Sequence, residues 1–182
     1  MNTEYFSTLA FIMVLIVAAV LDIRFQKIPN WLTFPSMIAA IILNTASTGF
    51  PGLLFSLGGI MAGIAFMILP YLMGGMGAGD AKLMGAVGGL LGPKGVFIAF
   101  LLTALTGGVY AMGVLAFYGG LGETSRRYRL ILRNFFLTGK VLYIPPSGKE
   151  NKPRLRYGIA IALGSIMTVI MKNTLYEIIS LN

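Results

Sequence analysis

Hydrophobic residues in this chain come in long runs separated by short polar links. Residues 5–21 form the first run, close to the roughly 20 apolar residues a helix needs to cross a hydrocarbon core. The link 22–30 follows, Asp22-Ile23-Arg24-Phe25-Gln26-Lys27-Ile28-Pro29-Asn30, and then Trp31, a residue suited to the membrane interface. Residues 32–46 make a second, shorter run, and 47–51 read as an uncharged outer turn. Residues 52–73 are a third run, with Gly59 and Gly63 at the spacing of closely packed membrane helices. No charge occurs between residues 28 and 79. That stretch ends in Gly74-Gly75-Met76-Gly77-Ala78-Gly79, directly before Asp80, Ala81 and Lys82. Residues 81–91 are too short to span alone, covering roughly half the core at about 1.5 Å per residue. Either they form a short helix deep in a bundle, or part of the glycine stretch also lies within the membrane. Gly85, Gly88, Gly89 and Gly92 supply two overlapping GxxxG pairs for tight packing. Residues 92–95 read as a turn, 96–118 as a fifth span and 157–179 as a sixth, with Lys172 near its far end.

This pattern predicts an all-α polytopic membrane protein, with six transmembrane helices in a single domain, 1–182. Composition agrees: 57% of residues are hydrophobic and 11% charged, where a soluble domain carries about 25% charged. Glu4 precedes the first run without any Lys or Arg, and Arg24 and Lys27 follow it. The run is therefore a retained span with the N-terminus outside, not a cleaved signal. Six spans then put 22–30, 74–82 and 119–156 on the cytoplasmic side, and these hold 12 of the 14 Lys and Arg. That is the asymmetry orientation requires. It also puts Asp22 and Asp80 on one face. Within 119–156, Tyr128, Ile131, Leu132, Phe135 and Phe136 recur at helical spacing, with Arg126, Arg127, Arg129 and Arg133 between them. Pro145 and Pro146 close the segment. Residues 126–140 are thus predicted to be an amphipathic helix on the anionic inner leaflet, between the fifth and sixth spans. The basic residues are read as lipid contacts and topology determinants, with no nucleic-acid partner.

The chain has no cysteine and no histidine. Disulfides, thiolate zinc sites, histidine bases and histidine metal ligands are excluded, and no metal or cofactor is expected. Chemistry must come from carboxylates, lysine, tyrosine or hydroxyls. Asp22 closes the first span and Asp80 opens the fourth. A carboxylate at a membrane edge is costly unless solvated, paired or protonated, which marks both as candidates. If their helix ends are neighbours, the two can share a proton, one acting as base on a water and the other as acid. The structural alternative for each is a capping or interfacial residue. Arg24 and Lys27 read most simply as topology determinants, Pro29 and Asn30 as the start of the second span, and Lys82 as a contact to lipid phosphates.

Two motifs carry a resemblance. Gly77-Ala78-Gly79-Asp80 matches the GxGD motif of intramembrane aspartic proteases. Asp22 to Asn30 resembles the first-aspartate motif of the type IV prepilin peptidases, D-x-R-x-x-[KR]-I-P-N, carried here by Asp22, Arg24, Lys27, Ile28, Pro29 and Asn30. GxGD alone is weak in a glycine-rich membrane protein, whereas the second motif is much more specific. The resemblance implies a six-span protease of the plasma membrane with Asp22 and Asp80 as its catalytic pair. Gly77, Gly79, Lys82, Arg24, Lys27, Pro29 and Asn30 then support the two motifs. It also implies a substrate: a pilin-like precursor with a short basic leader, cut just before its hydrophobic helix, commonly after glycine. Larger members carry paired cysteines in an N-terminal region and also methylate the new N-terminus. This chain looks like the short, protease-only branch found with tight-adherence (Flp) pili and like archaeal preflagellin peptidases, so methyl transfer is expected to be absent. Three other functions compete. A presenilin-like enzyme would cut within a transmembrane helix. A small transporter would use the aspartates as a proton or cation site. A non-catalytic scaffold would pack through its glycines and tolerate loss of both aspartates.

Overall fold

The structure is a computed structural model that describes residues 2–72, 75–117, 133 and 157–180, with side chains over 8–72, 75–114, 117, 133 and 157–172. The predicted amphipathic helix at 126–140 falls outside the described residues, apart from an exposed Arg133. Among the described residues the elements are all helical: α1 (Asn2–Phe25), α2 (Asn30–Thr48), α3 (Phe50–Leu72), α4 (Ala78–Phe117) and α5 (Tyr157–Ser180). The chain divides into two units, Met1–Gly107 with Leu155–Asn182, and Gly108–Arg154. In the second, the described part is the end of α4 and Arg133, where Tyr110, Gly113, Val114 and Phe117 line an open apolar depression. The site lies in the first unit.

Helix α1 runs past its apolar stretch. The sequence places a polar loop over 22–30, yet the helix continues to Phe25, with Asp22 and Arg24 in its last turn. The end of an apolar run marks a change of solvent, and intrahelical hydrogen bonds form on either side of it. The stop comes at Gln26, whose N–H bonds to the Asp22 carbonyl at 3.0 Å and whose φ is +52°. Pro29 then takes extended angles as the N-cap of α2 (φ −75°, ψ 149°), and its carbonyl accepts from Leu32 and Thr33. Pro29 and Asn30 open α2 as expected. At the end of α3, the Gly75 N–H returns to the Pro70 carbonyl at 3.1 Å, satisfying one carbonyl that the helix leaves unpaired.

Two glycine corners reverse the chain. Gly49 (φ 70°, ψ −142°) separates α2 from α3 by one residue. Gly92 (φ 72°, ψ 179°) interrupts α4 with nearly the same backbone. Each takes a left-handed φ that side chains disfavour, and each opens a Gly-x-x-Gly with a proline inside it, Gly49-Phe50-Pro51-Gly52 and Gly92-Pro93-Lys94-Gly95. The neighbours of α4 establish the reversal. Before the corner, Gly88 lies on Gly59 of α3 and Gly92 on Phe55, so this arm runs antiparallel to α3. After it, Phe97 and Phe100 both reach Phe66, with ring centroids 5.6 and 5.4 Å apart, so the second arm runs back alongside α3. It arrives at Gly107, beside Tyr157 of α5. The forty-residue α4 is therefore a helical hairpin with two arms. By length and composition three stretches are apolar enough to cross a membrane, Thr8–Phe25, Phe50–Leu72 and Ala78–Val114, the last containing both arms; Tyr157–Lys172 is a shorter apolar helix.

The first arm of α4 is the short helix deep in the bundle. Leu83, Met84, Ala86 and Val87 are fully or almost fully buried, and Leu83, Met84 and Val87 share a cluster with Phe11, Leu15 and Ala18 of α1 and Ile161 of α5. Its glycines let neighbours approach on two sides. Gly88 and Met84 meet Gly59 and Gly63 of α3 backbone to backbone, while Gly85 and Gly89 accept Met37 and Ala40 of α2 and Ile64 and Ile60 of α3. Small residues at such spacing permit the close approach that holds helices together in an apolar medium.

Candidate active site

Three stretches meet at one end of the first unit: the 26–29 link, the first turn of α4 and the start of α5. Asp22 belongs to the last turn of α1 and Asp80 to the first turn of α4. Both are buried, with 6% and 8% of their surface exposed. Carboxylates that deep require hydrogen-bond partners, and each has a glycine N–H. The Gly77 N–H donates to Asp80 Oδ2 at 2.9 Å, and the Gly158 N–H donates to Asp22 Oδ2 at 2.9 Å. The Asp80 N–H in turn reaches the Gly77 carbonyl at 3.1 Å. Asp80 thus caps its own helix in the manner of a capping-box acid, and Asp22 caps the first turn of α5. The structural role foreseen for each aspartate is present alongside the candidate chemistry. The pair also lies within mutual Coulombic range, as do Asp80 and Tyr157.

The two sequence motifs are joined by two contacts. Gly79 lies flat on Ile28, where a Cβ would come within 3.1 Å of both the Ile28 Cβ and its carbonyl oxygen. Lys82 Nζ donates to Asn30 Oδ1 at 2.8 Å and sits 5.3 Å from the Phe34 ring centroid. Lys82, read from the sequence as a lipid-phosphate contact, joins α2 to α4 in this way. The clasp is exposed, so Lys82→Met is expected to cost at most about 1 kcal/mol, seen as a small fall in thermal midpoint with insertion intact. The structure therefore brings together Asp22, Ile28, Asn30, Gly77, Gly79, Asp80 and Lys82, with Pro29 starting α2 beside them. Arg24 and Lys27 are exposed.

Tyr157 and Gly158 were not anticipated. Their only sequence signal is a glycine in the first turn of an otherwise apolar span, in a chain with 24 glycines. Among the described residues no group of three or more His, Cys, Asp or Glu could hold a metal ion. What the site offers is two buried carboxylates within each other's field. Carboxylates close enough to share a proton can act as acid and base.

Comparison with known proteins bears on this geometry. The model of the type IV leader peptidase family matches residues 9–112, a segment that contains both aspartates and more than half of the chain. A prepilin leader peptidase/N-methyltransferase of Bacillus subtilis (strain 168) is 33% identical over 147 residues, covering 78% of this chain and 56% of that protein. A protein of the same description from Aeromonas salmonicida (strain A449) is 31% identical over 109 residues, covering 56% of this chain and 37% of its own length. The chain thus spans about half, or less, of the curated relatives it matches. No solved structure matches it.

Proposed function

Because the chain belongs to the type IV leader peptidase family, we propose that it is a membrane aspartic endopeptidase that removes the leader of pilin-like precursors. The observation that supports this is the burial of both Asp22 and Asp80, each accepting a glycine N–H, within the segment that the family model matches. One carboxylate takes a proton from water, which attacks the scissile carbonyl. The other protonates the developing oxyanion; as the tetrahedral intermediate breaks down, the first passes the proton it took from water to the leaving amine and the second recovers its own from the gem-diol hydroxyl. The proton that left the water is thereby returned, and no external redox partner or metal enters the balance.

The proposal includes the membrane arrangement. The six helical segments cross the plasma membrane, the N-terminus lies outside, and the aspartates lie at the cytoplasmic edge with Arg24, Lys27 and Lys82. The one-sided placement of positive charge supports this orientation. A precursor held by its apolar helix, leader inside, presents its cleavage site at that depth. A glycine before the cut exposes backbone that a helix would keep hydrogen-bonded. The bundle, not the basic cytoplasmic face, supplies the main attraction for such a substrate, because a basic leader is repelled by like charge.

The test is cleavage of a pilin-like precursor by the purified protein in lipid, with the product's N-terminus mapped by mass spectrometry. One cut just before the hydrophobic segment is expected, at a rate unchanged by chelators. The new N-terminus is expected to be unmethylated even with a methyl donor present, in contrast to the second activity named for the relatives. Cutting inside the hydrophobic helix supports the presenilin-like alternative. Proton-coupled uptake by vesicles without cleavage supports a transporter.

A further inference from the structure

The backbone N–H of Gly158 holds an oxygen of Asp22 from across the bundle. It lies in the first turn of α5, where helical N–H groups have no intrahelical acceptor. Its position leaves no room for a side chain. A Cβ at 158 would stand 2.8 Å from Asp22 Cβ, 2.9 Å from Oδ2 and 3.0 Å from Cγ. The carboxylate is therefore pressed directly onto bare backbone, which fixes both its distance and its direction. Gly77 does the corresponding work for Asp80 from within α4's own N-terminus. The difference is that Asp80 is tethered locally, whereas Asp22 depends on a helix 136 residues away in sequence.

We propose that Gly158 is a positioning residue for the hydrolytic reaction: its N–H and its missing side chain together set the orientation of the Asp22 carboxylate toward Asp80. This rests on the reading of Asp22 as a catalytic carboxylate. A chain end that only required capping would accept alanine at 158, since any residue but proline supplies the N–H. Here the methyl group itself displaces the acid. Carboxylate orientation matters to the chemical step far more than to substrate docking, because a shift of about 1 Å in a reacting group can cost around 100-fold in rate.

The experiment uses the full-length protein in lipid with a pilin-like precursor, and compares three variants. Gly158→Ala retains the N–H and pushes Asp22 away; kcat is expected to fall by about 100-fold with KM little changed. Replacing the Gly158 peptide N–H by an ester oxygen, through incorporation of glycolic acid, removes the donor without adding an atom; kcat is expected to fall by about 10-fold. Gly164→Ala is the packing control. It crowds the same helix against Thr103, with a Cβ 2.6 Å from its Oγ1, and should lower thermal stability while leaving kcat per folded molecule unchanged. Wild-type kcat in the ester variant overturns the proposal, as does an equal loss in Gly164→Ala. If Gly158→Ala fails to fold, the ester alone decides. Failure of the parent reading shows up separately, as normal cleavage by an inserted Asp22→Asn protein.

Discussion

Asp22→Asn and Asp80→Asn are each expected to reduce precursor cleavage by about 10³-fold or more, while the protein still inserts and folds. The amide is nearly the same shape as the carboxylate, and its oxygen still accepts the N–H of Gly158 or Gly77 that Oδ2 accepts now. Stability should therefore change by no more than about 1 kcal/mol. What the amide cannot do is take up and return a proton, so loss of either member disables both the attack and the departure of the amine. The double variant should be no slower than either single one, because residues that act as a unit give non-additive losses. Cleavage rates in membranes, normalised to folded protein, provide the measurement. An inserted Asp→Asn variant that cleaves at the wild-type rate removes the dyad, and the transporter or scaffold reading takes its place.

The second large effect concerns assembly. Gly59→Leu or Gly88→Leu is expected to destabilise the bundle by more than about 3 kcal/mol, with loss of activity following loss of fold. A side-chain carbon at either position would overlap the carbonyl oxygen of the other. Backbone on both sides leaves no flexible side chain to move aside, so α3 and the first arm of α4 must separate. That arm carries Asp80 in its first turn, and displacement of the arm carries the acid with it. Gly108→Ala is the contrasting case. It lies inside α4 with nothing within 4 Å of a built Cβ, and alanine there should be neutral or stabilise by up to about 1 kcal/mol. Thermal unfolding of the three variants in one detergent distinguishes crowding from a general intolerance of glycine replacement.

Much of the frame was legible beforehand. Long apolar runs identify helices because each run must satisfy its backbone internally wherever it is buried. The charge-free stretch to residue 79 and the one-sided Lys and Arg placed Asp22 and Asp80 at the same end. The spacing of Gly59 and Gly63, and of Gly85, Gly88, Gly89 and Gly92, announced close helix packing. Other boundaries were misjudged for one physical reason: hydropathy reports solvent, whereas helix ends are set by dihedral angles. Asp22 and Arg24 therefore proved helical, and the loop shrank to the stretch between Gln26, which stops α1, and Pro29, which caps α2.

By itself, the sequence determined the helical class, the two aspartates and the motifs around them, because these follow from composition and from covalent neighbours. Only the tertiary structure decided the partners. It laid Gly79 on Ile28, clasped Lys82 to Asn30, and reversed α4 at Gly92. It also gave Asp22 the N–H of a glycine that no local pattern distinguishes from the others. Contacts between residues far apart in sequence depend on how whole helices pack, and a single carboxylate's direction depends on the last few tenths of an ångström of that packing.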